Sequence, residues 1–339
     1  MTYPSILDKV GQTPMIRMND AELEQIDLYA KMEGFNPTGS VKDRSASYIL
    51  DKLLRSGTIT RDTIMIESSS GNFGVALSNY CRSLGLKFWC VVDPNISPEN
   101  ELIISKLSDN MIKVTEPDQS GGYLLTRIAV VQRLLRELPD CYWINQYGNP
   151  LNAEAYYNSL GTEICDEMGT IDYLFLGVSS GGTIAGVSAK VKERFPDAKV
   201  IAVDMQGSVI FGETPRKRHI PGIGSSMVPD ILQQARYDDV VFVDEIATID
   251  HCHRLMKEHY MYAGGSSGSV YAAVRHYFAG RSFSRQQRVV MIFPDRGERY
   301  ASTIYNEAWC SSIRELIHGP RAFTLSDSML TEAAGTVSR

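Results

Sequence analysis

Apolar runs of strand length alternate with amphipathic stretches along almost the whole chain of 339 residues. The runs read TIMIESS (63–69), KFWCVVD (87–93), MIKVTE (111–116), CYWINQY (141–147), DYLFLGVS (172–179), KVIAVDM (199–205), VVFVDEI (240–246) and RVVMIFP (288–294). Continuous apolar strands separated by helices are typical of parallel sheets that are covered on both faces. Two such series predict an α/β fold with two sheets, arranged as two domains with a cleft between them.

The composition excludes several classes of protein. Hydrophobic residues make up 43% and charged residues 22%, which is the balance of an ordinary globular chain. The net charge of -6 argues against a nucleic acid or an anionic membrane as partner. The sequence has no apolar run of transmembrane length, and MTYPSILDKVGQTP lacks the regions of a signal peptide. We therefore expect a cytoplasmic protein.

The cysteines do not suggest a disulfide framework or a metal site. Six cysteines are scattered without CxxC spacing, which predicts reduced core thiols. A short stretch holds His251, Cys252, His253 and His259, but only Cys252 and His259 are spaced to share a helix face. We expect a solvated helix here, and no metal site.

Three turns are rich in small residues: ESSSGNFG (67–74), VSSGGTIAG (178–186) and AGGSSGSV (263–270). We place them at strand-to-helix turns, where open parallel sheets bind ligands. Small hydroxyl residues beside the first amides of a helix form an anion site. Taken alone, however, 178–186 is also explained as a tight strand-to-helix turn, and 263–270 as a helix cap. Because 178–186 has neither the GxxxxGK[ST] lysine nor the GxGxxG fingerprint, ATP and dinucleotides are poor candidates.

A lysine, Lys42, stands in the first turn of a predicted helix in KMEGFNPTGSVKDR (31–44). The positive end of a helix dipole disfavours an ammonium ion there by a few tenths to about 1 kcal/mol. Such a lysine usually reaches into water. The alternative is a lysine that works as a neutral amine or as an imine.

Together the motifs NPTGSVKDR, SSGNFG, SSGGT, PGIG and GGSSGS resemble the fold type II pyridoxal-phosphate enzymes, among which cysteine synthases and cystathionine β-synthases are near relatives. The resemblance extends from about Ile6 to Trp309. It implies a tryptophan synthase β-like fold and a homodimer. It also implies a larger domain (1–37 and 147–320) that binds the cofactor phosphate and dimerises, a smaller mobile domain (38–146), and a tail (321–339).

The resemblance also implies the site residues. Lys42 is the Schiff-base lysine, Asn72 the partner of the cofactor's ring oxygen and Ser266 the partner of its pyridine nitrogen. The remaining residues form a phosphate cup (Ser179, Ser180, Gly181, Gly182 and Thr183) and a loop that grips the substrate carboxylate (Ser69, Ser70, Gly71 and Asn72). A hydroxyl opposite the pyridine nitrogen makes a weaker electron sink than a carboxylate, which favours β-elimination to an aminoacrylate and attack by a second nucleophile.

Other segments resemble the 2,3-diaminopropionate branch of this family, which serves siderophore synthesis: CVVDPNISPEN, GGYLLTRIA, YWINQY, GSVIFG and MYAGGSSGS. That branch makes N-(2-amino-2-carboxyethyl)-L-glutamate from O-phospho-L-serine and L-glutamate. Sulfhydrylases usually carry GTGGT in the cup and PSSGERY near the C-terminus. This chain has SSGGT (179–183) and PDRGERY (294–300) instead.

Several side chains are candidates for a phosphate leaving group and an acidic nucleophile. Tyr147, Ser179 and Arg127 offer extra donors, and each charge-assisted hydrogen bond to phosphate contributes about 1.5–3 kcal/mol. The structural alternatives are a Tyr147 hydroxyl that is satisfied locally and an Arg127 in solvent. The triplet Arg216–Arg218 either steers glutamate toward the site or lies in a solvated loop.

The sequence leaves three functions open. The first is synthesis of the glutamate adduct from O-phosphoserine. The second is a cysteine synthase or phosphoserine sulfhydrylase, whose nucleophile is sulfide. The third is an inactive scaffold that binds the cofactor, against which the presence of Lys42 argues.

Overall fold

A computed structural model describes residues 2–118 and 121–318. The predicted tail, 321–339, lies outside the described residues. The strands are β1 (Met15–Met18), β2 (Ile26–Met32), β3 (Ile64–Ser68), β4 (Lys87–Val92), β5 (Asn110–Lys113), β6 (Cys141–Trp143), β7 (Tyr173–Gly177), β8 (Lys199–Met205), β9 (Asp239–Val243) and β10 (Gln287–Phe293).

The strands form two sheets. The larger has six strands in the order β1-β2-β10-β7-β8-β9, in which β1 runs antiparallel to β2 and the other pairs are parallel. The smaller has four parallel strands in the order β5-β4-β3-β6. The predicted α/β fold with two sheets is confirmed.

Helices connect the parallel strands. They are α1 (Lys42–Arg55), α2 (Asn72–Leu84), α3 (Pro98–Leu107), α4 (Leu124–Glu137), α5 (Pro150–Tyr156), α6 (Thr162–Glu167), α7 (Gly182–Arg194), α8 (Glu245–His259), α9 (Gly265–Phe278) and α10 (Glu307–His318). A π-helical segment (Tyr157–Gly161) joins α5 to α6. Among the residues described, no helix is long and apolar enough to cross a membrane.

The central strands are buried on both faces. Along β8, Ile201 and Val203 pack into one core cluster with residues of α8 and α9, whereas Val200 and Ala202 pack into another with residues of α6 and α7. Successive strand residues point to opposite faces, so helices on both sides require a continuously apolar strand. A third cluster places α1 and α2 against the four-stranded sheet.

Three local predictions were wrong. The strand predicted over 141–147 ends at Trp143, because Asn145 adopts a left-handed backbone (φ 54°) that turns the chain away. The strand predicted over 240–246 ends at Val243, because the Asp244 side chain accepts the Ala247 amide and starts α8. The turn at 263–270 follows α8 and not a strand.

The histidine-rich helix α8 is solvated on one face only, where Met256, Lys257 and Glu258 are exposed, and the prediction of a solvated helix is wrong for its cysteine and histidines. Cys252 is buried, His253 Nε2 lies 2.7 Å from the Ile304 carbonyl oxygen, and His259 Nε2 lies 3.1 Å from the Tyr271 hydroxyl. In the described part of the chain no group of three or more His, Cys, Asp or Glu side chains is arranged to hold a metal. All six cysteines are unpaired, and five of them are buried.

Strands β1 and β2, which the sequence did not predict, complete the edge of the larger sheet. Strands β3–β6 all lie within 38–146, and the other six lie outside that range. The proposed domain boundaries and the mobility of the smaller domain stay predictions.

Candidate active site

Lys42 begins α1, as predicted, and its side chain turns toward the larger sheet. Ser40 Oγ accepts the Lys42 amide at 3.3 Å at the start of this helix, and Lys42 Nζ donates to Ser180 Oγ at 3.1 Å. Burial lowers the pKa of the Lys42 amine to about 8, against a smaller opposing effect of the Glu67 carboxylate. A lysine in this setting supplies a neutral amine far more readily than a lysine in solvent.

The turn that contains Ser180 has the geometry of an anion cup. It follows β7, Gly181 has a φ of +84°, and α7 begins at Gly182. A side chain at Gly181 would bring its Cβ within 2.9 Å of Ile231 Cγ2, so the close packing also requires glycine. The first amides of a helix have no intrahelical acceptor and favour an anion.

The hydroxyls of the cup differ in their surroundings. Ser179 Oγ donates to the Gly224 carbonyl oxygen at 3.2 Å and so holds the neighbouring glycine loop, PGIG (221–224). Thr183 hydrogen-bonds the Tyr156 hydroxyl. Ser180 contacts Lys42, and is the hydroxyl that joins the cup to the amine.

The loop 69–72 contains one buried residue and three partly accessible ones. Ser69 is buried, and its Oγ accepts the Gly74 amide at 3.0 Å at the start of α2. Ser70, Gly71 and Asn72 are half-buried. Asn72 Nδ2 donates to Asp295 Oδ2 at 2.7 Å, which links this loop to the end of β10.

Ser266 lies in the first turn of α9 and is only 2% exposed. Its hydroxyl makes no hydrogen bond to any described residue. A Cβ at Gly222 would lie 3.0 Å from Ser266 Oγ and 3.2 Å from the Tyr300 hydroxyl, and Gly222 has a φ of +98°. The backbone of Gly222 therefore lies close to Ser266, and the Ser266 hydroxyl stays available for a ligand.

Arg127 is held toward the site, so the solvated alternative was wrong. Its Nη1 donates to Ser70 Oγ at 3.3 Å and its Nε lies 3.2 Å from Asp93 Oδ2, with a side chain only 12% exposed. Ser70 Oγ also donates to Asp93 Oδ2 at 2.8 Å. Arginine, serine and carboxylate thus form one network beside the 69–72 loop.

Tyr147 has a half-buried ring and no hydrogen-bond partner for its hydroxyl among the described residues. The alternative of a locally satisfied hydroxyl therefore finds no support. Burial raises the pKa of Tyr147, the charges of Arg127 and Arg218 lower it, and those of Glu67 and Asp93 raise it. The hydroxyl stays protonated and is able to donate to an anion.

The triplet 216–218 divides into two exposed cations and one that faces inward. Arg216 and Lys217 are exposed, as the solvated alternative predicted. Arg218 is half-buried and donates from Nη1 to the Gly207 carbonyl oxygen at 2.7 Å and from Nη2 to Ser226 Oγ at 3.3 Å. Only Arg218 is fixed beside the glycine loop.

Sequence reasoning missed Glu67, Asp295 and Arg299. Glu67 is fully buried and accepts the amides of Ser68 at 2.7 Å and Gln146 at 3.2 Å, and burial raises its pKa to about 7. The signal for Asp295 was the aspartate in PDRGERY, which stands where the sulfhydrylase pattern PSSGERY has a serine. The sequence alone does not show which residues that carboxyl contacts.

Comparison with known proteins identifies this arrangement. Residues 6–295 match the family model described as pyridoxal-phosphate dependent enzyme. The chain belongs to this family. It is therefore an enzyme that depends on pyridoxal phosphate, and the inactive scaffold is no longer needed as an alternative.

Solved structures of this family share the whole fold. An O-acetylserine dependent cystathionine β-synthase from Helicobacter pylori is 31% identical with a TM-score of 0.83, covering 90% of this chain and 100% of that chain. A mutant of O-ureido-L-serine synthase with O-ureido-L-serine bound is 26% identical with a TM-score of 0.83, covering 93% and 99%. A hydrogen sulfide-producing enzyme from Fusobacterium nucleatum, at 24% identity and a TM-score of 0.81, shows the fold alone.

The residues present fit pyridoxal phosphate. The cofactor requires a lysine amine, an anion site for its phosphate and polar partners for its ring. The chain offers Lys42 next to the cup, the start of α7, and the unused hydroxyl of buried Ser266. These groups have the donors that the cofactor needs.

Proposed function

We propose that this enzyme catalyses a β-replacement in which L-glutamate displaces phosphate from O-phospho-L-serine. The products are N-(2-amino-2-carboxyethyl)-L-glutamate, a precursor of L-2,3-diaminopropionate for a siderophore or related natural product, and phosphate. The observation that carries the proposal is the Tyr147 hydroxyl, which has no hydrogen-bond partner among the described residues and lies near Arg127 and Arg218, although the carboxyls of Glu67 and Asp93 are also near it. A phosphate leaving group is stabilised by such donors more than an acetate is.

Each residue of the site has a proposed task. Lys42 would bond the cofactor, and its neutral amine would serve as the base that removes the Cα proton of the substrate. The cup, Ser179–Thr183, would hold the cofactor phosphate, Asn72 would be the partner of the ring oxygen and Ser266 the partner of the pyridine nitrogen. The bound cofactor supplies the electron sink for the Cα electrons.

The substrate carboxylate is assigned to the loop Ser69, Ser70, Gly71 and Asn72. Because Ser69 already accepts the Gly74 amide, we assign the grip chiefly to the three accessible members of this loop. Arg127 and Tyr147 are assigned to the leaving phosphate. Arg127 is paired with Asp93 here, so phosphate must compete with that carboxylate for the guanidinium.

A second candidate uses the same site with a different donor and nucleophile. The solved structure at 31% identity is described as O-acetylserine dependent, which favours an acetate leaving group. With sulfide as nucleophile, the enzyme would then be a cysteine synthase. We also propose that the chain acts as a homodimer in the cytoplasm, with the domain of 38–146 closing over the substrate.

The experiment for the leaving group compares the two donors. With glutamate held constant, we expect kcat/KM for O-phospho-L-serine to exceed that for O-acetyl-L-serine by at least about tenfold, the effect of one charge-assisted hydrogen bond. The reverse order would overturn the phosphate assignment and support the second candidate.

A further inference from the structure

The nitrogen and the oxygen of the Asn72 side-chain amide are both hydrogen-bonded by one loop, 294–300, which follows β10. Asn72 Nδ2 donates to Asp295 Oδ2 at 2.7 Å, and Arg299 Nη1 donates to Asn72 Oδ1. A carboxylate accepts and a guanidinium donates, so only one orientation of the amide satisfies both contacts. Asn72 lies on the side of the four-stranded sheet, so these bonds also join the two sheets.

Asp295 is rigidly placed. It is 4% exposed, and the Tyr300 hydroxyl donates to the same Oδ2 at 2.8 Å. Its Oδ1 is buried without a hydrogen-bond partner among the described residues and lies against Gly264, where a Cβ would come within 1.8 Å of it. A side chain at position 264 would therefore displace this carboxyl, and the glycine at the start of α9 leaves room for it.

Arg299 ties the same amide to a second segment. Its Nη2 donates to the Thr38 carbonyl oxygen, in the turn that precedes Lys42. One guanidinium thus bonds both the loop of Asn72 and the loop of Lys42. Arginine suits this task because its planar fork holds two acceptors at a fixed separation.

The amide nitrogen of Asn72 carries two hydrogens, and Asp295 takes one of them. We propose that Asp295 and Arg299 are positioning residues, which hold the Asn72 amide so that its second N–H serves the ring oxygen of the bound cofactor. The inference rests on the proposed role of Asn72. Both residues are proposed to act through Asn72, and neither is assigned a contact with the substrate or the cofactor.

The test compares Asp295→Asn, Arg299→Lys and Asn72→Ala with the unaltered holoenzyme. The readouts are the visible absorption spectrum of the bound cofactor, the dissociation constant of pyridoxal phosphate, and kcat and KM. We expect Asp295→Asn and Arg299→Lys each to change the ratio of the visible bands. Each is also expected to weaken cofactor binding and lower kcat by about tenfold, with KM for the amino-acid donor changed by less than about threefold.

A double variant separates positioning from general damage to the structure. If Asp295 acts through Asn72, adding Asp295→Asn to Asn72→Ala changes the spectrum and the dissociation constant by less than about twofold. Arg296→Gln, on the same loop with a side chain 54% exposed, is the control and should leave both unchanged. Arg299→Lys keeps the charge, and carries the test if Asp295→Asn does not fold.

Two results would overturn the inference. One is a double variant in which the fold-changes of Asp295→Asn and Asn72→Ala in the dissociation constant multiply in full. The other is an unchanged spectrum in Asp295→Asn and Arg299→Lys while Asn72→Ala alters it. An Asn72→Ala enzyme with an unchanged spectrum would remove the role of Asn72 and this inference with it, but not the substrate proposal, which depends on the identity of the product.

Discussion

At the scale of single residues, the central feature is a lysine placed where a helix disfavours its charge. Its motif and its position at the start of α1 were predictable from the sequence, because both are local. Its contact with Ser180 joins residues 138 positions apart. The hydrogen bond between Asn72 and Asp295 joins residues 223 positions apart, and no local sequence pattern predicts such a pairing.

We predict that Lys42→Ala abolishes phosphate release from O-phospho-L-serine, with a loss of at least about a thousandfold, since the amine serves as both covalent partner and base. Release of inorganic phosphate is the measurement. Lys52→Ala is the matched control on the same helix, because its side chain is 47% exposed and contacts Glu154 and Tyr48, which have no proposed task in the site. Unchanged release in Lys42→Ala would refute the mechanism.

The pH dependence of cofactor uptake follows from the lowered pKa of Lys42, about 8 instead of 10.5. Only the unprotonated amine bonds an aldehyde, so the rate rises with pH while the ammonium form loses its proton. Between pH 7 and pH 9 we expect an increase of about tenfold in the rate of cofactor uptake by the apoprotein, and then a plateau. A rate that still climbs steeply above pH 9.5, as for a lysine in solvent, would contradict the burial effect.

For Tyr147→Phe we predict a selective effect on the phosphorylated donor. The change removes one hydroxyl and leaves the ring, so kcat/KM for O-phospho-L-serine should fall by about tenfold. With O-acetyl-L-serine the loss should stay within about twofold. Equal losses with both donors would return Tyr147 to a structural role.

At the scale of elements, the sequence predicted strands well where apolar runs are continuous and failed where side chains end them. The run 199–205 matches β8 residue for residue. In contrast, Asp244 looked like part of a strand, whereas its side chain caps α8. β1 is a short edge strand with exposed residues, so periodicity gave no signal for it.

Helix α1, which carries Lys42, is anchored by a buried ion cluster. Arg44 is fully buried, with its Nε 2.6 Å from Glu33 Oε2 and its Nη1 2.6 Å from Glu163 Oε1. Removing one member of such a pair leaves an uncompensated buried charge. The cluster therefore ties α1 to Glu33, which directly follows β2, and to Glu163 in α6.

We predict that Arg44→Met lowers the free energy of unfolding by about 3–5 kcal/mol. The measurement is urea denaturation of the apoprotein. Arg55→Met is the control on the same helix, because Arg55 is exposed and, within the described ranges, pairs only with Asp51. It should change the free energy by less than about 1 kcal/mol. A similarly small loss for Arg44→Met would mean that the cluster does not anchor α1.

At the scale of the whole molecule, the site is assembled from both sheets. Lys42 and Asn72 come from segments next to the four-stranded sheet, while the cup and Ser266 come from the six-stranded sheet. Family membership and the cofactor follow from the fold and the match over residues 6–295. The substrates depend on a few side chains, such as Tyr147 and Arg127, whose partners only the folded chain reveals.

The most direct test of the account is the mass of the product formed by the holoenzyme from O-phospho-L-serine when L-glutamate and sulfide compete at equal concentration. The proposal predicts N-(2-amino-2-carboxyethyl)-L-glutamate as the main product, with release of one phosphate per adduct. Formation of cysteine without the glutamate adduct would contradict it and establish a sulfhydrylase.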